Sequence, residues 1–526
     1  MLVRREYYCI RSVMNYILLF DSMPLQLASE FQDSTYIVEP VIIMAIETEC
    51  NADRTYIVGE DTLLEALKEM MRRNAGPATS PLPPASCIFK VPEALRMHNP
   101  KAYKPYVVSI GPFHRGRDQE NLQRMETVKQ WYLDTLLARV HINSQEFIQR
   151  INDETENGII EFEKRARSFY AEPLDHLKEK EFVEIMILDG CFVIQLLWNI
   201  VNGKKDDDDP ILNMDCMFQY VCHDLLLLEN QLPWFVLSCL YRLTLGKIYG
   251  GPPFSVVLLS AFCSQNSMEK HINSYFQYLK EELGHNDRVD ENRFLHILDL
   301  IRTSIVFAFK PFEPSSRNNK KCLWWFAEKE EKEIGPEIPA ATALSEAGVK
   351  FERGSDNNLM NIEFKNGVLT IPELAVAELT EPLLRNLIAF EQCCRGHSHQ
   401  ITSYAVFMDK LISSDKDIKL LSEKKILANW LNVEDGSEFF NSLYIDTTVK
   451  DFQYHKLCVE VNKYYHVKWN RYFEQFRRDY CSTPWKVIAL AVGILLLLVN
   501  LMQLVISLQS STFFTGIRVN ELSADI

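Results

Sequence analysis

Residues 487–508 form an uninterrupted apolar run, VIALAVGILLLLVNLMQLVISL, without a single charged side chain. As a helix this run would extend over about 33 Å, enough to cross a hydrocarbon core of about 30 Å. A buried core helix is the alternative, but so pure an apolar run beside the chain end favours a membrane span. Trp485 lies where an interfacial aromatic residue belongs. The sequence therefore predicts one C-terminal transmembrane helix at 487–508 and a short tail at 509–526.

Positive charge is distributed unevenly around the predicted span. The basic residues that precede it are Lys463, Lys468, Arg471, Arg477, Arg478 and Lys486, and only Arg518 follows it. The positive-inside rule then places the body in the cytosol, at either the plasma membrane or an endomembrane. The absence of any Asn-x-Ser/Thr sequon from the sequence agrees with this orientation. The alternative is an N-terminal signal sequence, although Arg11 and Asn15 interrupt its apolar part.

One side of the predicted span carries small and polar residues. Ala489 and Gly493 are four residues apart, Gly493, Asn500 and Ser507 repeat every seven residues, and Gln503 lies on the side of Asn500. Small residues let helices approach closely, and amides form hydrogen bonds between helices. We therefore hypothesise that these five residues form a face through which two spans associate into a homo-oligomer. The alternative is that these residues are polar or small without any role in association.

The stretch before the span interleaves aromatic residues with basic ones. Lys468, Arg471, Arg477 and Arg478 lie in this stretch, and Trp485 follows them. Basic residues next to a span favour anionic lipid. We therefore predict that these five residues contact the membrane surface, while a core-packing helix with a solvated face is an equal alternative.

Composition excludes some partners and indicates a compartment. The net charge of −15 disfavours nucleic acid as a partner, because phosphate contacts need a surplus of Lys and Arg. The 13 cysteines are an odd number, and Cys191 and Cys239 lie in apolar surroundings. Buried reduced thiols in a reducing compartment are therefore predicted rather than a disulfide framework.

Local composition divides the chain into segments. Residues 1–74 form an N-terminal extension with one predicted amphipathic helix at 61–73. Residues 75–85 are proline-rich and predict a linker. Residues 86–480 form the predicted body, which is expected to be mainly α-helical with a small β-hairpin and a few short strands.

Two hydrophobic stretches predict helices in the body. Residues 181–200 are apolar almost all round, as in a core helix, and Glu184 and Asp189 argue against a second span. Residues 224–241 predict another apolar helix that Pro233 breaks. The polar residues just before this proline are expected to form hydrogen bonds at the break.

Other patterns fix the remaining elements. Asn366-Gly367 between β-branched stretches predicts a hairpin. The stretch YVVSIGPF at 106–113 is apolar and β-branched, which is typical of a short strand or of an extended entry into the body. Further helices are predicted at 340–348, 378–393, 403–412, 415–431 and 451–480.

No motif in the sequence assigns a reaction. The chain lacks the phosphate-binding loop G-x-x-x-x-G-K-[ST], the nucleophile motif G-x-S-x-G and the zinc motif H-E-x-x-H. The best metal candidate combines Cys393, Cys394, His397 and His399, but these ligands are crowded and a helix-end turn is favoured. His114 has no identifiable partner in the sequence. We therefore predict no catalytic residue, no cofactor and no metal site.

Four stretches together resemble the plant family built on domain of unknown function 247: CIFKVPEALRMHNPKAYKPYVVSIGPFHRG, DGCFVIQLLW, DLLLLENQLPWFVL and KVIALAVGILLLLVNLMQLV. The likeness runs from about Cys87 to the predicted span. It implies a plant-specific, membrane-associated protein without established catalytic activity, in a family whose members include some implicated in self-incompatibility of grasses. No catalytic residue is carried over, because the family supplies none.

The expected function is therefore non-enzymatic. A helical body held at a membrane is expected to bind an unknown protein partner, as an interaction or recognition protein. A self-incompatibility or other cell-recognition role is one biological setting for it. A membrane-bound enzyme of unrecognised class is the alternative.

Overall fold

The computed structural model describes residues 86–522 except 117–119, 156, 204–207, 215, 247–249, 264–274, 276, 280, 282–292, 313–336, 356–357, 377–378, 430–432, 468–471, 473–474, 477–478 and 481–482. Within regular elements, residues 120–121, 429, 433–437 and 508–522 are described by their backbone only. The predicted helix at 61–73 and the predicted linker at 75–85 lie outside the described residues.

The described chain is mainly α-helical, as predicted. In chain order the helices are α1 (Glu93–Arg96), α2 (Glu120–Arg139), α3 (Ser144–Glu154), α4 (Gly158–Arg167), α5 (Glu179–Val201), α6 (Met217–Leu225), α7 (Trp234–Tyr241), α8 (Phe254–Cys263), α9 (Ile297–Val306), α10 (Ala341–Glu346), α11 (Thr380–Cys393), α12 (Gln400–Leu411), α13 (Asp415–Glu423), α14 (Val433–Ser442), α15 (His455–Tyr465) and α16 (Pro484–Leu522). A short 3₁₀ helix, Pro100–Tyr103, follows α1.

Short strands form two small sheets. The first contains β1 (Lys350–Gly354), β2 (Glu363–Lys365) and β3 (Val368–Pro372), with β3 in the middle. Strands β2 and β3 pair antiparallel and form the predicted hairpin. Its turn residues Asn366 and Gly367 have positive φ angles of 53° and 80°, as the tight turn between twisted strands requires.

The second sheet corrects one prediction. The helix expected at 415–431 ends at Glu423, and Lys425 turns the chain with a φ of 58°. Strand β5 (Leu427–Asn429) then pairs in parallel with β4 (Leu374–Val376). The prediction was wrong because the apolar residues after the turn contact a strand that lies some fifty residues earlier in the chain, which no local pattern reveals.

Helix α5 is the central helix of the body. It contacts α2, α7 and α8, and Phe182, Cys191, Phe192, Ile194 and Leu197 on it are fully buried. The predicted core helix is therefore confirmed. The predicted break in the next apolar stretch is also confirmed, because α6 ends at Leu225 and α7 begins only after Pro233.

Helix α16 differs from α5 in its surroundings. Both helices are long and apolar enough to cross a membrane by length and composition. In α5, 72% of the apolar window is buried inside the body, whereas in Pro484–Ser507 of α16 the figure is 0%. The described residues therefore include one C-terminal apolar helix that no other part of the described chain covers.

Candidate functional site

Residues 106–111, here called the extended segment, are held by side chains rather than by a neighbouring strand. The Asp224 carboxylate accepts hydrogen bonds from the backbone N–H groups of Tyr106, Val107 and Val108, each at 2.8 Å. Asn230 accepts from the N–H of Ile110 at 2.6 Å and donates to the carbonyl of Val108 at 3.1 Å. The apolar, β-branched stretch at 106–113 is therefore irregular and unpaired rather than a strand of a sheet, because buried side chains satisfy the backbone groups that a neighbouring strand would otherwise satisfy.

The end of the extended segment reaches the central helix α5. The Gly111 N–H donates to the Asp189 carboxylate at 2.8 Å. Gly111 has a φ of 76°, and a Cβ at this position would lie 2.7 Å from the carbonyl oxygen of Gln231. The turn therefore requires glycine for both its backbone conformation and its space.

A buried ion pair lies beneath this turn. The Lys129 ammonium is 2.6 Å from the Asp189 carboxylate, and both side chains are fully buried. Burial raises the pKa of Asp189, while the positive charges of Lys129 and Arg115 oppose that shift. Lys129 also donates to the carbonyl of Ser109 at 2.5 Å, so the pair fixes both the segment and the helix. Removing Lys129 or Asp189 would leave the other buried charge with only a partly exposed counter-ion, Arg115 for Asp189 at 3.9 Å and Glu126 for Lys129 at 2.7 Å.

Glu229 performs a similar task at the start of the body. Its carboxylate accepts from the N–H of Val91 at 2.5 Å, pairs with Arg96, and lies 3.3 Å from Nε2 of His114. Burial alone would raise the pKa of Glu229, but the neighbouring His114 side chain, the charge of Arg96 and the N–H of Val91 lower it overall. The partner of His114, which the sequence did not identify, is therefore Glu229.

Gln231 completes the arrangement at the break between α6 and α7. Its amide nitrogen donates to the carbonyls of Leu225 and Leu227 at 2.7 and 2.8 Å. Its amide oxygen accepts from the N–H of Leu298 at 3.1 Å. The predicted hydrogen bonding of polar residues at the break is confirmed.

We call Lys129, Asp189, Asp224, Glu229 and Asn230 the polar frame. Each of them is buried. Four bind backbone N–H groups, and Lys129 binds a backbone carbonyl. Buried polar groups used in this way position a segment of chain that has no regular structure.

A second arrangement contains thiol and imidazole groups. Cys394 is the C-cap of α11, and Gly396, with a φ of 89°, turns the chain so that the His397 ring packs against Phe390 with centroids 4.8 Å apart. Nε2 of His397 lies 3.6 Å from the carboxylate of Asp299 on α9. We call Cys394, His397 and Asp299 the thiol cluster.

The electrostatics of the thiol cluster favour a charged imidazole. The neighbouring Asp299 carboxylate and, next, Cys394 raise the pKa of His397 to about 9, although burial opposes the shift. Burial would raise the pKa of Asp299, but the nearby His397 and His296 side chains and the hydrogen bond from the Leu295 N–H lower it overall. His397 is therefore protonated at neutral pH.

The residues of the sequence-derived metal candidate point to different neighbours. His399 contacts the carbonyl of Thr448 at 2.9 Å, whereas His397 contacts Asp299. Among the residues that the structure describes, no group of three or more His, Cys, Asp or Glu side chains could hold a metal ion.

Helix α16 carries the five residues of the proposed association face. Ala489, Gly493, Asn500, Gln503 and Ser507 lie toward one side of this continuous helix by its period of about 3.6 residues. Apart from the neighbouring residues and backbone of α16 itself, no described atom comes within 4 Å of a Cβ built at Gly493. The association itself stays a prediction.

The proposed surface-contact residues are described only in part. Trp485 is 80% exposed at the start of α16. Lys468, Arg471, Arg477 and Arg478 lie outside the described residues, so their contact with a membrane also stays a prediction.

The fold and the polar frame together describe a mainly α-helical protein with two distinguishing features. A frame of buried polar side chains holds an irregular N-terminal segment, and one apolar helix lies uncovered by the described chain. A family model for a plant protein of unknown function, domain of unknown function 247, matches residues 88–499. The chain belongs to that family, as the resemblance indicated.

Two proteins of Arabidopsis thaliana are similar to this chain. One, a UPF0481 protein, is 28% identical over 439 residues, which cover 81% of this chain and 86% of the relative. The other, a putative UPF0481 protein, is 24% identical over 503 residues, which cover 81% of this chain and 90% of the relative. No solved structure matches the chain.

Proposed function

We propose that this protein is a single-span membrane protein whose helical body binds another protein and catalyses no reaction. The observation that carries the proposal is helix α16, whose apolar window Pro484–Ser507 is 0% buried. Leu495, Leu497 and Met502 expose 62%, 62% and 70% of their surface. Apolar side chains at this density need an apolar environment, and a bilayer supplies one over the length of this helix.

The use of the buried polar side chains supports an interaction role for the body. A catalytic carboxylate or imidazole must be within reach of a substrate. The carboxylates of Asp189 and Asp224 are instead fully buried and accept hydrogen bonds from the extended segment. These groups hold a mostly buried segment in place, so they support the fold of the body, and we propose that the body acts by binding.

The proposed topology has the body in the cytosol and the residues after the span on the other side. The excess of Lys and Arg before the span supports this orientation. The same basic residues favour contact with anionic lipid at the plasma membrane or an endomembrane. Self-association through the Gly493 and Asn500 side of the span would bring two bodies together. Recognition between plant cells, including self-incompatibility, is a biological setting that such a protein fits.

Protease protection of the membrane-inserted chain tests the proposal. The full chain carries a different tag at each end and is inserted into sealed vesicles, with the same vesicles opened by detergent as the control. Digestion of the N-terminal tag and body with survival of the C-terminal tag would support the proposed topology. Protection of the body would reverse the orientation. Release of the undigested chain by alkaline carbonate would overturn membrane spanning itself.

A further inference from the structure

The body and helix α16 are joined by a stretch whose described side chains are exposed. Helix α15 is the last helix that packs into the body: Val461 on it is fully buried, and the Tyr464 ring contacts the Phe364 ring of the hairpin with centroids 5.8 Å apart. From residue 466 to the start of α16, every side chain that the structure describes is exposed. Residues 466–483 therefore belong neither to the core of the body nor to α16.

Three aromatic residues in this stretch lie along one side of a helix. The described residues at 472, 475, 476, 479 and 480 are helical, and Tyr472, Phe476 and Tyr480 are four residues apart. A step of four residues turns by about 40° in an α-helix, so these three side chains spread over about 80° of its circumference. The rings of Phe476 and Tyr480 have centroids 5.3 Å apart. We call Tyr472, Phe476 and Tyr480 the aromatic stripe.

About half of the surface of the aromatic stripe is exposed. Tyr472, Phe476 and Tyr480 expose 59%, 42% and 54% of their surface. Aromatic side chains dominate the energetics of cores and interfaces, because each can remove about 150–250 Å² from water. A row of such rings that the described chain leaves uncovered marks an interaction surface.

The place of the aromatic stripe in the chain indicates what covers it. Tyr480 lies four residues before Pro484, the first residue of α16, so a membrane around α16 is within reach of the stripe. Residues 466–486 contain five Lys or Arg and two Asp or Glu, in a chain whose net charge is −15. A local excess of positive charge suits an anionic membrane surface. Tyrosine, with an apolar ring and a polar tip, suits the boundary between headgroups and hydrocarbon.

The helix that carries the aromatic stripe is separate from α16. Thr483 lies in a bend, and it caps α16 by accepting hydrogen bonds from the N–H groups of Lys486 at 3.4 Å and Val487 at 3.2 Å. If the two helices instead formed one straight rod along the membrane normal, Tyr472 would lie about 18 Å beyond Pro484. The interfacial layer on each side of a bilayer is only about 5–8 Å thick. All three rings therefore reach the interface only if their helix lies along the membrane surface.

We propose that the aromatic stripe lies in the interface of the bilayer that α16 spans, with its helix parallel to the membrane plane. This proposal rests on the membrane anchoring proposed above and adds an orientation to it. The ligand is the anionic phospholipid surface, because an amphipathic helix binds there through apolar side chains and through attraction between basic residues and headgroups. The end of α15 is then held close to the membrane instead of at the end of a free tether.

A depth measurement on the full chain in vesicles tests the proposal. A fluorescent amino acid replaces one residue at a time: each member of the aromatic stripe, Gln475 as a control about 100° away from Phe476, and Leu497 as a marker of the span. The vesicles contain phosphatidylcholine and phosphatidylserine whose acyl chains carry bromine at a shallow or a deep position. We expect similar, shallow quenching at all three positions of the stripe, weaker quenching at Gln475 and deep quenching at Leu497.

The pattern of quenching separates this proposal from the proposed membrane span. A steep fall in quenching from Tyr480 to Tyr472 would mean an upright helix and would overturn the proposal. Quenching at Leu497 with none at the stripe would leave the span and overturn the surface helix. Quenching at the stripe with none at Leu497 would support the surface helix and contradict the span.

Substitution of the aromatic stripe provides a second measurement. Tyr472→Gln/Phe476→Gln/Tyr480→Gln should leave thermal unfolding of the body unchanged, because these side chains are exposed. In vesicles that contain phosphatidylserine, trypsin should cleave this stretch about tenfold faster or more in the triple variant, because the interface no longer buries the rings. Ile148→Gln/Ile160→Gln changes two isoleucines of the body that are 51% and 61% exposed, and should leave the rate unchanged. Equal cleavage rates in the triple variant and the unsubstituted chain would overturn the proposal.

Discussion

Helices α5 and α16 are both long and apolar enough to cross a membrane, but they lie in very different surroundings. Helix α5 is 72% buried inside the body over its apolar window, and α16 is 0% buried over Pro484–Ser507. The buried helix contains Asp189, whose charge is matched by Lys129 at 2.6 Å. The exposed helix has no charged residue between 487 and 508.

The difference between α5 and α16 shows that apolar content alone does not identify a transmembrane helix. A helix inside a protein can carry a charge, because its neighbours supply a counter-ion and hydrogen-bond partners. A helix in lipid has no such neighbours unless another helix brings them. The partners of the polar residues therefore distinguish the two cases better than hydropathy does.

A matched pair of substitutions tests the difference in burial between α5 and α16, and its expected effects are the largest. Leu197 on α5 is fully buried and Leu497 on α16 is 62% exposed. Leu197→Asp should destabilise the body by about 4–5 kcal/mol, because it buries a charge without a partner. Leu497→Asp should leave the body intact and weaken membrane insertion by about 3 kcal/mol. Thermal unfolding followed by circular dichroism and alkaline extraction measure the two effects.

Each variant is the control for the other in this pair. Equal loss of body stability in both would mean that α16 packs against the body in the folded protein. Unchanged membrane retention of Leu497→Asp would remove the support that α16 gives to membrane anchoring.

The charge on α5 provides the next test. Asp189→Asn keeps an acceptor for the Gly111 N–H but leaves the buried Lys129 with the partly exposed Glu126, at 2.7 Å, as its remaining carboxylate partner. It should lower the free energy of unfolding by about 3 kcal/mol. The double variant Lys129→Met/Asp189→Asn should lose less than the sum of the single variants, because removing both charges leaves no buried ion. Urea unfolding of the full chain in detergent micelles measures this; strict additivity would mean that the two groups do not interact.

Gly111 tests the junction between the extended segment and α5. Gly111→Ala combines a positive φ with a clash against the carbonyl of Gln231, and should destabilise by about 2–3 kcal/mol. Gly203 has a φ of 62° and no described atom within 4 Å of a built Cβ. Gly203→Ala should therefore cost only the backbone strain of about 1 kcal/mol. Similar urea midpoints for both variants would show that the space beside Gly111 is not restricted.

The smallest expected effect concerns the exposed helix. Asn500→Leu removes the amide on the proposed association face and should weaken self-association by about 1 kcal/mol or less. Met502→Leu lies toward the opposite side of the helix and is the control. Energy transfer between labelled full chains in vesicles, measured over a range of lipid-to-protein ratios, gives the association constant. Energy transfer that is the same for Asn500→Leu and the unsubstituted chain would exclude a role for this amide.

Much of the fold could be predicted because its signals are local. The core helix, the break before Pro233 and the Asn366-Gly367 hairpin each rest on residues within one short window, and the structure contains all three. The polar residues beside Pro233 also indicated hydrogen bonding at the break, which Gln231 provides. Local patterns were therefore sufficient wherever the partner was nearby in sequence.

The rest could not be predicted because the partners are distant in sequence. YVVSIGPF is typical of a strand, yet its backbone partners are side chains of Asp224 and Asn230, more than one hundred residues later. The sequence singled out His397 only as one of four closely spaced possible metal ligands. Its neighbour Asp299 could not be predicted, because Asp299 comes from another helix and no motif surrounds it. A pairing between remote side chains leaves no periodicity in the sequence.

The extended segment also sets an order of events during synthesis. Tyr106 leaves the ribosome 118 residues before Asp224, the residue that holds its N–H. At about 5–20 residues per second, this separation corresponds to a wait of roughly 6–24 s. Through that interval the polar frame lacks Asp224, Glu229 and Asn230, and the apolar side chains of residues 106–111 are not yet held in place. Nascent chains stalled before residue 224 should therefore bind holding chaperones, and chains stalled well after residue 231 should not.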